Sequence, residues 1–231
     1  MGNIAIIIAR GGSKRIPRKN IVPVGGLPLV SWSVAAALES GVCERVLVST
    51  DDPEIAKVAE EAGAETPFLR DKAADDSSNA SEACLAALSQ AESYWKTTYD
   101  NTILLMPTCP LRTGKEIALQ YEIFKHSNCD FLLSCAGFGP TKPWWAFTMD
   151  KRKRASFLHP ETLKTRSQLL AKLFAPSGAT WIASTSALRK SGTFYGLGHQ
   201  FHEIPWISAL DIDEPSDVEF IDLLLAGSKR A

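Results

Sequence analysis

The residues best placed to do chemistry lie in one loop near the start of the chain. Residues 4–9 read Ile-Ala-Ile-Ile-Ile-Ala and predict a buried strand, and the next eleven residues, 10–20, contain five cations and the pair Gly11 and Gly12. Glycine lets main-chain N–H groups turn toward phosphate oxygens and lets a ligand come close to the backbone. The loop therefore predicts a phosphate site, although a basic loop can also be a solvated surface. Its cations are Arg10, Lys14, Arg15, Arg18 and Lys19.

The spacing within this loop excludes two common phosphate-binding motifs. The sequence contains no G-x-x-x-x-G-K-[ST], which an ordinary P-loop ATPase carries, and no G-x-G-x-x-G, which marks a dinucleotide-binding fold. A phosphate bound here would be held by a loop of another kind.

A pair of carboxylates near the end of the chain could hold a metal ion. Asp211 and Asp213 flank Ile212 in the segment 209–215, Ala-Leu-Asp-Ile-Asp-Glu-Pro. Alternation in an extended segment points both carboxylates to one side, where they suit a hard divalent cation beside phosphate oxygens. The alternative is that the two acids cap a helix that begins near Pro215.

A third stretch, residues 105–112 (Leu-Met-Pro-Thr-Cys-Pro-Leu-Arg), follows a predicted strand and offers Thr108 and Arg112 at the strand's carboxyl end. Ligands of open α/β sheets lie at such ends. The two prolines would equally suit a simple turn between a strand and a helix.

These three stretches, taken in order, resemble one family. The series R-x-G-S-K-x-x-x-x-K-N at residues 10–20 is similar to the signature of the acylneuraminate cytidylyltransferases, also called CMP-sialic acid synthetases, which activate nine-carbon α-keto acid sugars. The D-I-D at 211–213 resembles their metal motif, and residues 105–112 resemble their L-Q-P-T-S-P-L-R. Residues 15–17, Arg-Ile-Pro, look more like the branches that act on legionaminic or pseudaminic acid.

The resemblance implies an enzyme that transfers CMP from CTP to a nonulosonic acid and releases pyrophosphate. It also implies Mg²⁺ as the cofactor, bound by Asp211 and Asp213. The sequence does not identify a general base. The nucleotide-binding residues it implies are Arg10, Gly11, Gly12, Ser13, Lys14, Lys19, Asn20, Arg70 and Ser81. The residues implied for the sugar are Met106, Thr108, Arg112, Lys142, Arg166 and Gln168, and those implied in catalysis are Lys14, Arg10, Lys19 and Arg166.

One departure from the family pattern concerns the sugar. Met106 replaces a glutamine that would hydrogen-bond N-acetylneuraminic acid, and a thioether cannot donate an N–H. The change favours a sugar with a less polar group at that place. Lys142 and Arg166 could also be solvated surface cations.

Composition narrows the classes of protein to which the chain can belong. With 231 residues, 45% of them hydrophobic, and a formal net charge of −1, the chain predicts one large folded domain without a general attraction for nucleic acid. No apolar run approaches the ~20 residues that span a bilayer, and the start lacks a signal-peptide pattern, so we expect a cytoplasmic protein without a membrane partner. Five scattered cysteines without a C-x-x-C pair predict buried thiols rather than zinc or disulfides.

The elements that would position these residues alternate along the chain. Strands are predicted at 4–9, 45–50, 102–106, 130–135 and 178–183, and helices at 29–40, 53–62, 80–96, 113–126 and 217–225. This alternation predicts a single three-layer α/β domain over residues 1–231 with a mostly parallel sheet, of the nucleotide-diphospho-sugar transferase type that the resemblance implies.

Residues 141–173 break the pattern, with Trp144 and Trp145 followed by four consecutive cations at 151–154. The resemblance implies a small excursion here that takes part in a homodimer. The two tryptophans could instead pack into the chain's own core.

Two other functions stay open from the sequence. One is a cytidylyltransferase for the eight-carbon sugar 3-deoxy-manno-octulosonate, and the other is a non-catalytic nucleotide-binding subunit with the same fold. Pyrophosphate release that needs both Mg²⁺ and sugar would separate an enzyme from a binding subunit.

Overall fold

The computed structural model describes residues 2–71 and 79–228, which form a central sheet with helices on both faces. The strands, in chain order, are β1 (Asn3–Ile8), β2 (Pro23–Val24), β3 (Leu27–Pro28), β4 (Arg45–Ser49), β5 (Asn101–Leu105), β6 (Phe131–Gly137), β7 (Phe147–Met149), β8 (Ala155–Phe157), β9 (Phe174–Ser184) and β10 (Gln200–Glu203). The helices are α1 (Leu29–Ser40), α2 (Pro53–Glu61), α3 (Ala80–Trp95), α4 (Gly114–His126), α5 (Thr185–Ser191) and α6 (Pro215–Ser228).

The central sheet has six strands in the order β10-β6-β9-β5-β1-β4. β1 pairs in parallel with β4 and β5, and β10 pairs in parallel with β6. β9 alone in this sheet runs against its neighbours β5 and β6. The chain reaches β9 from the excursion after β6, without the helical crossover that a parallel connection needs, so β9 can return antiparallel. The predicted mostly parallel sheet is confirmed.

Side-chain alternation along β1 builds the three layers. Ala5 and Ile7 point to the core shared with α1, α2 and α4, while Ile4 and Ile6 point to the core shared with α3 and α5. All four side chains are fully buried. A near-continuous apolar strand is what burial on both faces of a sheet requires, and the three-layer prediction is confirmed.

The helix ends follow the local signals of the sequence. Gly41 ends α1 with φ 64°, and Gly63 follows α2 with φ 98°. Both values lie in the left-handed region that glycine adopts without a steric cost. Thr113 accepts the N–H of Glu116, whose carboxylate accepts the N–H of Thr113, so α4 begins with a full capping box.

The excursion between β6 and β9 contains the hairpin β7–β8 and 3-10 turns at Pro143–Trp145, Pro160–Lys164 and Ser167–Leu169. Trp145 is 39% exposed, and half-buried Trp144 donates its Nε1 proton to the carbonyl of Ala171 at 2.8 Å, within the excursion. The alternative in which both tryptophans pack into the chain's own core is therefore wrong.

The described helices are all too short or too polar to cross a membrane. The five cysteines form no disulfide, and Cys84, Cys109 and Cys135 are buried, as expected. Cys43 and Cys129 are only partly buried.

The close contact between α1 and α4 predicts that alanine destabilises the protein at Gly114 but not at a glycine outside this contact. A Cβ on Gly114 would lie 2.8 Å from the main-chain nitrogen of Ser40 and 2.9 Å from the carbonyl oxygen of Ala36, so Gly114→Ala would force the two helices apart. We expect it to lower the free energy of unfolding by about 1–3 kcal/mol in a urea titration.

Gly227→Ala is the matched control, because a Cβ on this residue of α6 meets no atom of the described residues within 4 Å. Alanine there should leave stability unchanged or raise it by up to about 1 kcal/mol. Equal effects of the two substitutions would contradict the close approach of α1 and α4.

Candidate active site

A pocket of about 510 Å³ opens where the chain leaves β1 and β5. Five cations line it, and no carboxylate is found among its described lining residues. The walls come from the loop after β1, from Arg70, from the start of α3, and from Met106 to Thr108 after β5. The sequence-predicted residues that the structure brings together here are Arg10, Ser13, Lys14, Lys19, Asn20, Arg70, Met106 and Thr108.

Carboxylates outside the pocket fix the first glycine of the pair. The N–H of Gly11 donates to Asp51 Oδ1 at 2.9 Å, and a Cβ on Gly11 would lie 2.8 Å from Asp52 Oδ2. Glycine at position 11 therefore permits a close approach to the end of β4. A Cβ on Gly12 meets no atom within 4 Å, so the backbone there is open on that side.

Asn20 closes the loop on itself. Its side chain is buried, and Nδ2 donates to the carbonyl of Arg10 at 2.8 Å, which joins the two ends of the loop. Its Oδ1 is buried without a hydrogen-bond partner among the described residues. An acceptor left unpaired at a pocket wall can receive a hydrogen bond from a ligand.

Arg18 is turned away from the pocket. Its backbone is left-handed, with φ 56°, and its guanidinium pairs with Asp52 at 3.1 Å and with Glu54 at 2.8 Å. Asp52 also caps α2 by accepting the N–H groups of Glu54 and Ile55. Burial acts to raise the pKa of Asp52, but these hydrogen bonds and Arg18 hold the pKa below its ordinary value.

Lys19 and Arg15 link the loop to the carboxylate segment near the end of the chain. Lys19 Nζ lies 2.8 Å from the carbonyl oxygen of Ile212 and 3.1 Å from Asp213 Oδ1. Arg15 pairs with the same Oδ1 at 2.8 Å and with Glu214 Oε1 at 3.1 Å. Partial burial acts to raise the pKa of Asp213, but the two cations outweigh it and hold the pKa below the ordinary aspartate value.

Asp211 has a different environment. Loss of hydration beside the neighbouring protein atoms raises the pKa of the Asp211 carboxyl. A hydrogen bond from Thr108 lowers this pKa, and the negative charge of Asp213 raises it further. Cys109 Sγ lies 4.0 Å from Asp211 Oδ1. Ile212 between the two acids is fully buried and donates its N–H to the carbonyl of Thr108 at 2.9 Å. The side chain of Ile212 therefore points into the core, and the shared orientation of the two carboxylates stays a prediction.

The carboxylate segment is tied to the first turn of α6. Asp217 Oδ2 accepts the N–H of Asp213 at 2.8 Å and the N–H of Glu214 at 2.7 Å, so a side chain of the helix fixes the segment that precedes it. In the described part of the chain no three or more potential metal ligands converge. A cation at this place would have two protein carboxylates and would take its other oxygens from ligand or water.

Arg70 is a buried arginine at the pocket wall. Its Nη1 donates to the carbonyl of Ser49 at 2.9 Å and to the Ser49 hydroxyl at 3.3 Å, while its Nε is buried without a partner among the described residues. Burial lowers its pKa, and the charge of Asp51 opposes that shift. A guanidinium held in place in this way can donate a hydrogen bond to an acceptor atom of a planar ligand.

The structure does not bring Ser81 into the described pocket wall. Its hydroxyl is buried on α3 and accepts the N–H of Phe194 at 3.2 Å. This contact joins α3 to the segment after α5 and gives Ser81 a structural explanation.

Arg112, assigned to the sugar from the motif, lies behind the site instead. It is buried, and Nη1 donates to the carbonyl oxygens of Met106 at 3.2 Å and of Ala179, while Nη2 donates to the Ser33 hydroxyl. Burial lowers its pKa to about 10. Arg112 therefore holds the backbone that carries Met106 and is a positioning residue. Sequence reasoning missed its partner Ser33, and the only signal was a polar residue on the buried face of α1.

Lys142, Arg166 and Gln168 are exposed on the excursion, away from this pocket. Lys142 borders a separate pocket of about 610 Å³, together with Trp144 and Lys172. Arg166 and Gln168 border a third pocket of about 690 Å³. One copy of the chain does not gather these three residues with the basic loop.

Comparisons with known proteins show which family and fold the chain is similar to. A family model described as cytidylyltransferase matches residues 4–125. The chain is 34% identical to a pseudaminic acid cytidylyltransferase of Campylobacter jejuni over 97% of this chain and 96% of that protein. It is 30% identical to a CMP-N,N'-diacetyllegionaminic acid synthase of Legionella pneumophila, over 99% and 98% of the two chains. A solved CMP:2-keto-3-deoxy-manno-octonic acid synthetase with CTP shares the fold, with a TM-score of 0.70 at 16% identity over 99% of this chain and 100% of that chain.

The contacts of Arg112 predict a loss that lysine cannot repair. In Arg112→Lys, lysine keeps the charge, but its ammonium group lacks the planar fork of donors with which Arg112 reaches two carbonyls and a hydroxyl. We expect the free energy of unfolding to fall by about 2–4 kcal/mol, because buried acceptors are left unpaired. Chemical denaturation measures it, with Arg152→Lys in the exposed β7–β8 turn as the control. Equal stability of the two variants would remove the positioning role from Arg112.

Proposed function

This chain belongs to the cytidylyltransferase family, and on that premise we propose that it transfers CMP from CTP to a nonulosonic acid, a sialic-acid-like α-keto acid sugar, with release of pyrophosphate. Two relatives that match nearly their whole length are named for pseudaminic acid and for a legionaminic acid. The proposed substrate is therefore a sugar of that kind.

The observation that carries the proposal is the charge of the pocket. Five cations and no described carboxylate line a space beyond β1 and β5. A triphosphate brings several negative charges, and a pocket lined by one sign of charge attracts a ligand of the opposite sign. The buried, incompletely paired donor of Arg70 at the same wall supports a pyrimidine base there.

In the proposed reaction the anomeric hydroxyl of the sugar attacks the α-phosphorus of CTP, the bond to pyrophosphate breaks, and the hydroxyl proton is released to water. Negative charge increases on the leaving oxygens as that bond breaks. Fixed cations aimed at this charge stabilise the transition state more than the bound substrate, and that difference accelerates the step. Arg10, Lys14 and Lys19 are the residues we assign to the phosphates, and Asn20, which joins the two ends of the loop, is assigned to the nucleotide as well.

Asp211 and Asp213 fit the proposed Mg²⁺. Two carboxylates of one extended segment, next to the basic loop, are hard oxygen ligands of the kind that Mg²⁺ uses with phosphates. When bound, the ion would neutralise phosphate charge. The protein's part is to hold the segment rigid, which the fully buried Ile212 and its hydrogen bond to the Thr108 carbonyl do.

We also propose that the chain works as a homodimer through its excursion. Met149 and Leu169 are 63% and 76% exposed, and Phe147 is 51% exposed, so the excursion presents apolar surface that a second copy could cover. Lys142 and Arg166, which one copy keeps away from the basic loop, would reach acidic substrates only from a partner or after movement. A mass of one chain by light scattering at micromolar concentration would contradict the dimer. The cytoplasmic location stays a prediction from the sequence.

The two alternatives gain no specific support. Likeness to the 3-deoxy-manno-octulosonate enzyme is at 16% identity and shows the fold alone. The relatives that match over nearly their whole length are named as a cytidylyltransferase and a synthase, which favours an enzyme over a non-catalytic subunit.

Removal of one phosphate cation tests the reaction. Lys14→Ala should lower kcat for pyrophosphate release, measured with CTP, Mg²⁺ and pseudaminic or legionaminic acid, by about 10²-fold. Lys190→Ala, which removes an exposed cation from α5, is the control and should keep the parent rate. Normal turnover by Lys14→Ala would end the assignment of the loop to the triphosphate.

Met106 tests the identity of the sugar. Legionaminic and pseudaminic acids have a terminal methyl group where sialic acid has a hydroxyl, and the flexible apolar side chain of Met106 suits the methyl group. We expect kcat/KM to favour these sugars over N-acetylneuraminic acid by up to about 10²-fold, because an apolar pocket discriminates only modestly against an added hydroxyl.

Met106→Gln should shift this ratio toward N-acetylneuraminic acid, and Met106→Leu should leave it in place. If the parent enzyme turns over N-acetylneuraminic acid at least as well as both deoxy sugars, Met106 does not set the specificity.

A further inference from the structure

We propose that Arg15 is an internal counter-ion of Asp213 that gives way when nucleotide arrives, so that the protein takes up its divalent cation together with CTP rather than alone. The inference rests on the proposed function, because it assumes that Asp213 is a metal ligand. It assigns a role to a residue that the sequence motif left without one.

The two cations paired with Asp213 oppose the binding of a metal ion to its carboxylate. Arg15 and Lys19 approach the same oxygen, Asp213 Oδ1, at 2.8 and 3.1 Å. A divalent cation on this carboxylate would meet two positive charges within a few ångströms, and like charges at that distance repel strongly. At least one of the two side chains must therefore move before a metal can bind.

Arg15 is the partner that can move. Lys19 is mostly buried, with 16% of its side chain exposed, and also donates to the carbonyl of Ile212 at 2.8 Å. Arg15 is 56% exposed and is held by the carboxylates of Asp213 and Glu214, which are themselves half exposed. Exposed pairs of this kind are weak and exchange with competing anions.

The backbone next to Arg15 cannot follow its side chain. Ile16 is 7% exposed and belongs to the same apolar cluster as Ile212, Val24, Leu29 and Ile221. This cluster fixes the basic loop against the carboxylate segment, so only the long side chain of Arg15 is able to swing.

The competing anion is the triphosphate itself. Arg15 lines the same pocket as Lys14 and Lys19, so phosphates bound there compete for its guanidinium with the two half-exposed carboxylates of Asp213 and Glu214. Once Arg15 turns to the phosphates, Asp213 loses one counter-ion and becomes a better metal ligand. Because such coupling is reciprocal, the metal strengthens CTP binding by the same factor.

The test compares two arginines of one loop by binding rather than by turnover. Mn²⁺ replaces Mg²⁺ and is measured by electron paramagnetic resonance on the full chain without nucleotide, and CTP binding is measured by calorimetry in EDTA. Arg15→Gln should bind Mn²⁺ about 3- to 5-fold more tightly than the parent and CTP about 3-fold or more weakly. If Arg15 had only a structural role, its loss would not strengthen Mn²⁺ binding while it weakens CTP binding.

Arg18→Gln is the matched control, because Arg18 pairs with Asp52 and Glu54 instead of Asp213. It should leave the Mn²⁺ affinity at the parent value. An unchanged or weaker Mn²⁺ affinity in Arg15→Gln overturns the counter-ion role.

Asp213→Asn, made in the parent and in Arg15→Gln, separates this failure from failure of the proposed metal site. If Asp213→Asn lowers Mn²⁺ binding but Arg15→Gln does not raise it, only the counter-ion role is lost. If Asp213→Asn leaves Mn²⁺ binding unchanged in both backgrounds, the assignment of the metal to these carboxylates fails.

Discussion

Neutralisation of the basic loop by carboxylates from distant parts of the chain is the interaction on which the site depends. Five cations within eleven residues repel one another, and a loop of that charge would not hold one shape by itself. The end of β4 supplies Asp51 to Gly11 and Asp52 to Arg18, and the segment before α6 supplies Asp213 to Arg15 and Lys19. All of these acids lie outside the described lining of the pocket, so its interior stays positive.

Apolar packing gives these ion pairs their fixed distances. Ile16 of the basic loop and Ile212 of the carboxylate segment are buried in one cluster with the β2–β3 hairpin, α1 and α6. Exposed ion pairs contribute little to stability by themselves. The burial of Ile16 and Ile212 therefore sets where the loop lies, and the charges then determine which side chains point into the pocket. Buried Arg112 does the same for the opposite wall through the carbonyls of Met106 and Ala179.

The parts of this molecule that local chemistry determines were predictable. The glycines after α1 and α2, the capping box of Thr113 and the apolar run of β1 each depend on residues a few positions apart, and the structure has them where the sequence indicated. The antiparallel direction of β9 was not predictable, because it depends on where the excursion returns the chain. The basic loop and Met106 line one pocket, because the carboxyl ends of the parallel strands β1 and β5 share an edge of the sheet.

The misassigned residues show why a motif is not a site. Arg112 stands at the motif position expected to contact the sugar, yet its donors are used by the carbonyls of Met106 and Ala179, and no spacing rule states which way a side chain turns. The pairing of Arg15 with Glu214 joins residues 199 positions apart and has no local signature. A sequence therefore reports which charges are available, whereas the fold decides which of them neutralise each other and which remain for a ligand. Both outcomes occur in the basic loop of this chain. Arg18 pairs with Asp52 and holds the structure, whereas Arg15 lies at the pocket between the Asp213 carboxylate and the proposed site of the CTP phosphates.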